Sequence, residues 1–254
     1  MSSKNIYLGF NWKMNPATLD EAKDLLHSYK NAVLKKSKNI EIAVFVPSIF
    51  YYPLLDLKKQ LKLDIKLGIQ DISSDLSGAK TGEISVSMLD KQDSTIIIGH
   101  SETRKNFALD NQAISKKTAI ATVNGVTPVI CIGYSKSLEV NFMELQEQLK
   151  TALECINLET LKTPVIIAYE PVWAIGTGKT ADQETVSKVT NFIKDFIKDN
   201  FLKLIEKTKI LYGGSVKSDN VLELSKISNL DGFLIGGASL DINQFDKILE
   251  SLEL

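Results

Sequence analysis

The sequence predicts a single (β/α)8 barrel of eight parallel strands occupying residues 1–254. Three observations lead there. Short runs rich in Ile, Val and Leu alternate with amphipathic stretches along the whole chain, as strands covered on both faces and their crossover helices require. Eight such runs can be marked, and several give way to polar or glycine-rich motifs where a loop begins. The length of 254 residues is also that of one barrel of this kind. An open doubly wound sheet is the alternative, because a strand count read from sequence can err by about one or two.

The first expected strand, Ile6–Asn11, runs into Asn11-Trp-Lys-Met-Asn15. Thr18-Leu-Asp-Glu21 then reads as a capping box, in which Thr and Glu side chains satisfy N–H groups left open by a first helical turn. Strands follow at Ile40–Val46, Lys66–Gln70 and Thr95–Gly99, the last leading into His100-Ser-Glu102. The fifth, Thr127–Ile132, contains Cys131, and the sixth, Val165–Glu170, ends on a carboxylate followed at once by Pro171. Thr180-Ala-Asp-Gln183 reads as a second capping box, ahead of a helix with Val186, Val189, Phe192, Ile193, Phe196 and Ile197 at helical spacing. Lys209–Tyr212 and Gly232–Ile235 are the last two strands, each followed by a Gly-Gly pair. A final helix with Phe245, Ile248, Leu249 and Leu252 on one face closes the ring.

Composition narrows the function. The chain is 44% hydrophobic and 24% charged with a net charge of −1, which is ordinary globular composition and supplies no electrostatic reason to bind nucleic acid or an anionic membrane. Met1 to Asn5 is polar, unlike a signal peptide, and no apolar run approaches the roughly 20 residues of a membrane span. A cytoplasmic protein is therefore expected, with Cys131 and Cys155 as reduced thiols. Arg104 is the only arginine among 30 basic residues, and we expect it to hold a fixed structural ion pair.

The residues that carry chemistry sit at strand ends. Glu170 is a carboxylate delivered to the end of a buried strand, the position of a general base in a parallel α/β protein. The segment Pro171, Val172, Trp173, Ala174, Ile175, Gly176 and Thr177 reads as a lid, with a stiff proline edge and a glycine edge that tolerates large dihedral changes. His100 is one of two histidines; alone it reads as a packed core residue, but beside Glu170 it completes an acid–base pair. Lys13, otherwise a surface charge, is raised by its strand-end place beside Asn11 towards stabilising an oxyanion. The pairs Gly213-Gly214 and Gly236-Gly237 offer backbone N–H groups to a phosphate, or are merely two tight turns. No metal-ligand spacing, dinucleotide fingerprint or Gly-x-Ser-x-Gly elbow occurs. No metal and no cofactor are expected, and the kit suits proton abstraction next to a carbonyl.

Asn11-Trp-Lys-Met-Asn15, Gly99-His-Ser-Glu102, Tyr169 to Gly178, Tyr212-Gly-Gly-Ser-Val216 and Gly232 to Leu240 together resemble the triosephosphate isomerase family, in order and over essentially the whole chain. The resemblance implies interconversion of dihydroxyacetone phosphate and D-glyceraldehyde 3-phosphate, a step of glycolysis and gluconeogenesis. It implies Glu170 as base, neutral His100 as electrophile, and Lys13 and Asn11 on the developing negative charge; this family is itself a standard illustration of such tuning. Gly176, Ser215, Gly236 and Gly237 would hold the phosphate, and Glu102 would sit behind Lys13. The family's homodimer would insert the Thr81-Gly-Glu83 loop beside the partner's Asn11 and Lys13.

Three departures stand out. Thr103 replaces an arginine that in the family often pairs with the residue matching Glu83 across the interface, leaving Lys80 or Lys105 as substitutes. Tyr134 stands where a glutamate is usual, and Asp71 where asparagine is usual. A different phosphosugar isomerase on the same barrel, which would need no such lid sequence, and a catalytically dead phosphate-binding partner are the competing readings.

Overall fold

The computed structural model describes residues 4–91, 94–134, 140–173 and 181–253, with Tyr134 as backbone only. The strands are β1 Ile6–Asn11, β2 Ile40–Val46, β3 Lys66–Ile69, β4 Ser94–Ile98, β5 Thr127–Tyr134, β6 Val165–Pro171, β7 Thr208–Tyr212 and β8 Gly232–Ile235. They form one closed parallel barrel in sequence order, and β1 meets β8 in the register Leu8↔Phe233. The helices around it are α1 Leu19–Ser28, α2 Lys30–Lys35, α3 Tyr51–Leu61, α4 Ser101–Asn106, α5 Asn111–Val123, α6 Phe142–Leu153, α7 Gln183–Asn200, α8 Val221–Ser225 and α9 Ile242–Leu252. The (β/α)8 expectation is met, and the open sheet is excluded by the β1–β8 ladder.

Strand side chains divide between two cores because they alternate across each strand. Tyr7, Ala43, Phe45, Ile97, Val129, Cys131, Ile166, Ala168, Leu211 and Leu234 fill the barrel interior. The other parity, including Leu8, Phe10, Ile96, Ile98, Ile167 and Tyr169, packs outward against helices. Val186, Val189, Ile193 and Ile197 of α7 and Phe245, Ile248, Leu249 and Leu252 of α9 are the buried stripes of their helices.

Several boundaries differ from expectation. The Thr18–Glu21 capping box is present, with both reciprocal bonds. Thr180 of the second box lies outside the described residues; α7 begins after Asp182, whose side chain accepts from the Thr185 N–H at 2.6 Å. β4 stops at Ile98 because Gly99 has φ 70°, a left-handed conformation that leaves the strand. β3 stops at Ile69, one residue early, and the Gln70 side chain serves the loop of β1 instead. β5 and β6 run past their expected ends because each extends the other, pairing Gly133↔Glu170 and Tyr134↔Pro171. Pro171, read as the first lid residue, therefore still lies in β6.

Candidate active site

Alternation alone brings two functional side chains into the barrel mouth. Asn11 shares the inward parity of Tyr7 in β1, and Glu170 that of Ile166 and Ala168 in β6. His100 arrives differently: strict alternation from inward-facing Ile97 would turn it outward, and the left-handed Gly99 redirects the chain.

His100 Nε2 lies 2.9 Å from Glu170 Oε1, and the Ser101 N–H donates to Glu170 Oε2 at 2.8 Å. Glu170 is only 2% exposed, so these two donors replace the water that a buried carboxylate would otherwise lack. The Glu102 N–H donates to His100 Nδ1 at 3.2 Å. A lone pair on Nδ1 puts the single ring proton on Nε2, where it donates to Glu170. Burial pushes the His100 pKa down, yet the carboxylates of Glu170 and then Glu102 outweigh it, and the net shift is upward. Beside them, burial pushes the Cys131 thiol up and the Glu170 charge adds to it, so this sulfur stays protonated.

Lys13 adopts φ 54°, an uncommon conformation for a side chain beyond glycine, and its N–H donates to Asn11 Oδ1 at 2.9 Å. Its Nζ lies 2.5 Å from Glu102 Oε1. Both ends of that pair are partly solvated, so its value is in aiming Nζ rather than in stability. Gln70, which sequence reasoning passed over, fixes this turn by donating to Lys13 O at 2.8 Å and Phe45 O at 3.1 Å. A single glutamine carries no signal of such a role.

Asn11, Lys13, His100, Glu170, Ser215, Gly236 and Gly237 line one cavity of about 460 Å3. A Cβ on Gly237 would meet nothing within 4 Å, so that backbone borders open space, as an anion-accepting turn should. The expected anion-binding pair Gly213 and Gly214 also lines it, as do Lys217, Asp241 and Gln244, which the sequence did not point to. Behind Glu170, a Cβ on Gly133 would fall 1.9 Å from the Glu170 carbonyl oxygen. The Gln148 side chain clamps Gly133 from the other side, accepting from its N–H at 2.9 Å and donating to its carbonyl at 2.8 Å.

Of the lid, Val172 and Trp173 follow β6, and Trp173 is partly buried against the core; Ala174, Ile175, Gly176 and Thr177 lie outside the described residues. Arg104 holds no ion pair among the described residues. It donates to Gly99 O at 2.8 Å, Asn111 Oδ1 at 2.8 Å and Cys131 O at 3.1 Å, because its planar fork fits neutral acceptors converging from just past β4, the start of α5 and β5. Among the described residues no group of His, Cys, Asp and Glu is placed to hold a metal ion.

A family model described as Triosephosphate isomerase matches residues 6–252. The chain belongs to the triosephosphate isomerase family. It is 40% identical to the triosephosphate isomerase of Endomicrobium trichonymphae over 245 residues, covering 94% of this chain and 96% of the relative. It is 36% identical to that of Mycoplasmopsis pulmonis, with 97% of each chain covered. With that of Dehalococcoides mccartyi it shares 38% identity over 96% of this chain and 95% of the relative.

The departures from the triosephosphate isomerase pattern have structural counterparts. Asp71 meets Lys117 Nζ at 2.7 and 2.8 Å, pinning α5 to the segment after β3. Burial pushes the Asp71 carboxyl up and Lys117 pulls it back only in part, so the pair does not fully offset its own desolvation. Glu83 accepts from the Ser73 hydroxyl, while Lys80 pairs with Asp75 at 3.1 Å.

Proposed function

We propose that this chain, as a single barrel domain, interconverts dihydroxyacetone phosphate and D-glyceraldehyde 3-phosphate through an enediolate. The observation that carries the reading is the 2.9 Å approach of His100 Nε2 to Glu170 on the wall of a cavity also lined by Lys13 and by Gly236 and Gly237. Glu170 removes the carbon-bound proton and returns it to the neighbouring carbon. Neutral His100, with its proton on Nε2, polarises the carbonyl and moves protons between the two oxygens. Lys13 and Asn11 stabilise the negative charge that develops, and the backbone at Gly176, Ser215, Gly236 and Gly237 receives the phosphate. Substrate has to replace the direct His100–Glu170 contact, since a carbon and its oxygen must fit between base and electrophile. Closure of the segment from Pro171 to Thr177 then excludes water, which strengthens every charge interaction inside and protects the enediolate.

The same reading makes the protein a cytoplasmic homodimer acting in glycolysis and gluconeogenesis. Among the described residues no helix is long and apolar enough to cross a membrane. Support for the dimer comes from apolar side chains left open on loops after neighbouring strands: Met14 is 94% and Ile49 78% exposed, with Leu76 and Met88 also exposed. Leu76 and Met88 flank in sequence the exposed Thr81-Gly-Glu83 loop, the segment that would reach the partner.

The test is turnover of glyceraldehyde 3-phosphate coupled to a glycerol-phosphate dehydrogenase. Glu170→Asp withdraws the carboxylate by about 1 Å and is expected to lower kcat by on the order of 100-fold or more with little change in KM. Near-normal turnover in that variant would remove Glu170 as the base.

A further inference from the structure

A buried polar chain lies under the cavity floor. Tyr29, between α1 and α2, is fully buried, and its ring stacks on Phe245 of α9 at 3.9 Å with planes 5° apart. Its hydroxyl accepts from Trp12 Nε1 at 2.9 Å and donates to the carbonyl of Ser239. The Ser239 hydroxyl in turn donates to Asn11 O at 3.0 Å, and the Ser239 N–H to Gly236 O at 2.8 Å. Trp12 and Asn11 belong to the segment that carries Lys13; Ser239 lies in the short turn begun by Gly236 and Gly237. Two parts of the cavity that are far apart in sequence, the Lys13 turn and the Gly236–Gly237 turn, are thus joined through one phenol. Burial also pushes the Tyr29 pKa up, so the hydroxyl keeps the proton it donates.

We propose that Tyr29 is a positioning residue for the phosphate-binding turn. Resting on the isomerase reading above, its hydroxyl sets Gly236 and Gly237 at the distance from Asn11 and Lys13 at which one phosphorylated triose meets both. The geometry leaves no slack: both partners of the hydroxyl, the Trp12 indole N–H and the Ser239 carbonyl, are buried on residues with 0% exposure. Without the hydroxyl each must find another partner, and the turn is the part free to shift, because Gly237 faces open space.

Tyr29→Phe keeps the ring on Phe245 and removes only the hydroxyl. Steady-state kinetics with inorganic phosphate as competitive inhibitor read the result. KM and the phosphate inhibition constant are expected to rise together by about five- to tenfold, with kcat within about twofold of wild type. A lowered Tm with both constants unchanged would mean that the hydroxyl serves stability alone and would overturn the proposal. So would a fall in kcat with phosphate inhibition unaltered. If Tyr29→Phe does not fold, Trp12→Phe removes the donor that orients the hydroxyl; both constants should then rise about two- to threefold, and unchanged constants overturn the proposal. Absence of turnover in the wild-type protein would sink the isomerase reading instead. The inference stays testable in that case, because calorimetric phosphate binding to wild type and Tyr29→Phe needs no substrate.

Discussion

His100 is where burial and charge oppose each other. Burial favours the neutral ring, whereas Glu170 and then Glu102 favour the cation, and the pKa ends above its ordinary value of 6.5. With the folded value raised, His100 contributes stability that is fully present below about pH 6.5 and is lost as pH rises through the higher folded value. An NMR titration of the His100 ring should therefore show a lower midpoint in Glu170→Gln, and a smaller decrease in Glu102→Gln, whose carboxylate lies 3.7 Å from Nδ1. A midpoint unmoved in both variants would assign the shift to other charges. Glu170, His100 and Lys13 were legible in the sequence because each ends a strand-like run, where this architecture collects its chemistry. Gln70, Gln148 and Tyr29 were not. Their side chains act on backbone atoms of distant loops, and an amide or phenol in a helical or loop stretch looks the same with or without such a partner.

The start of α7 shows how two local signals compete. Thr180-Ala-Asp-Gln183 and Asp182-Gln-Glu-Thr185 overlap, and each offers an oxygen to an open N–H of a first turn. Asp182 is the residue with extended backbone, φ −66° and ψ 159°, so its carboxylate is the cap. Asp182→Ala should cost about 1 kcal/mol in denaturant unfolding; an unchanged midpoint would place the cap elsewhere. The ends of β5 and β6 carry the same lesson. Pro171 reads as a stop because it lacks an N–H, but the last rung of a ladder does not need that donor, and the two strands extend each other through Gly133↔Glu170 and Tyr134↔Pro171. Gly133 permits this approach, since any Cβ there would collide with the Glu170 carbonyl.

Assembly is the largest expectation that follows from the exposed loops. Ile49→Glu puts a charge among the exposed apolar side chains proposed to carry the dimer and should raise its dissociation constant by on the order of 30-fold or more, matching a ~2 kcal/mol interface residue. Sedimentation velocity showing an equally tight dimer would place the interface on another face. Thr103 supplies no cation, and Glu83 is engaged with Ser73 of its own chain, so in the proposed dimer apolar contact has to carry more of the association. The alternation of eight strands with helices, the strand-end places of Asn11 and Glu170, and the Thr18 cap were all readable from the chain, because period-two alternation, helical spacing and capping involve neighbours only a few residues apart. Closure of β1 on β8, the meeting of His100 with Glu170 and of Lys13 with Glu102, and the bond from Tyr29 to Ser239 across 210 positions belong to the folded barrel. They depend on how eight staggered strands close into one ring and on a single left-handed Gly99, and no local pattern in the chain encodes a distance through space.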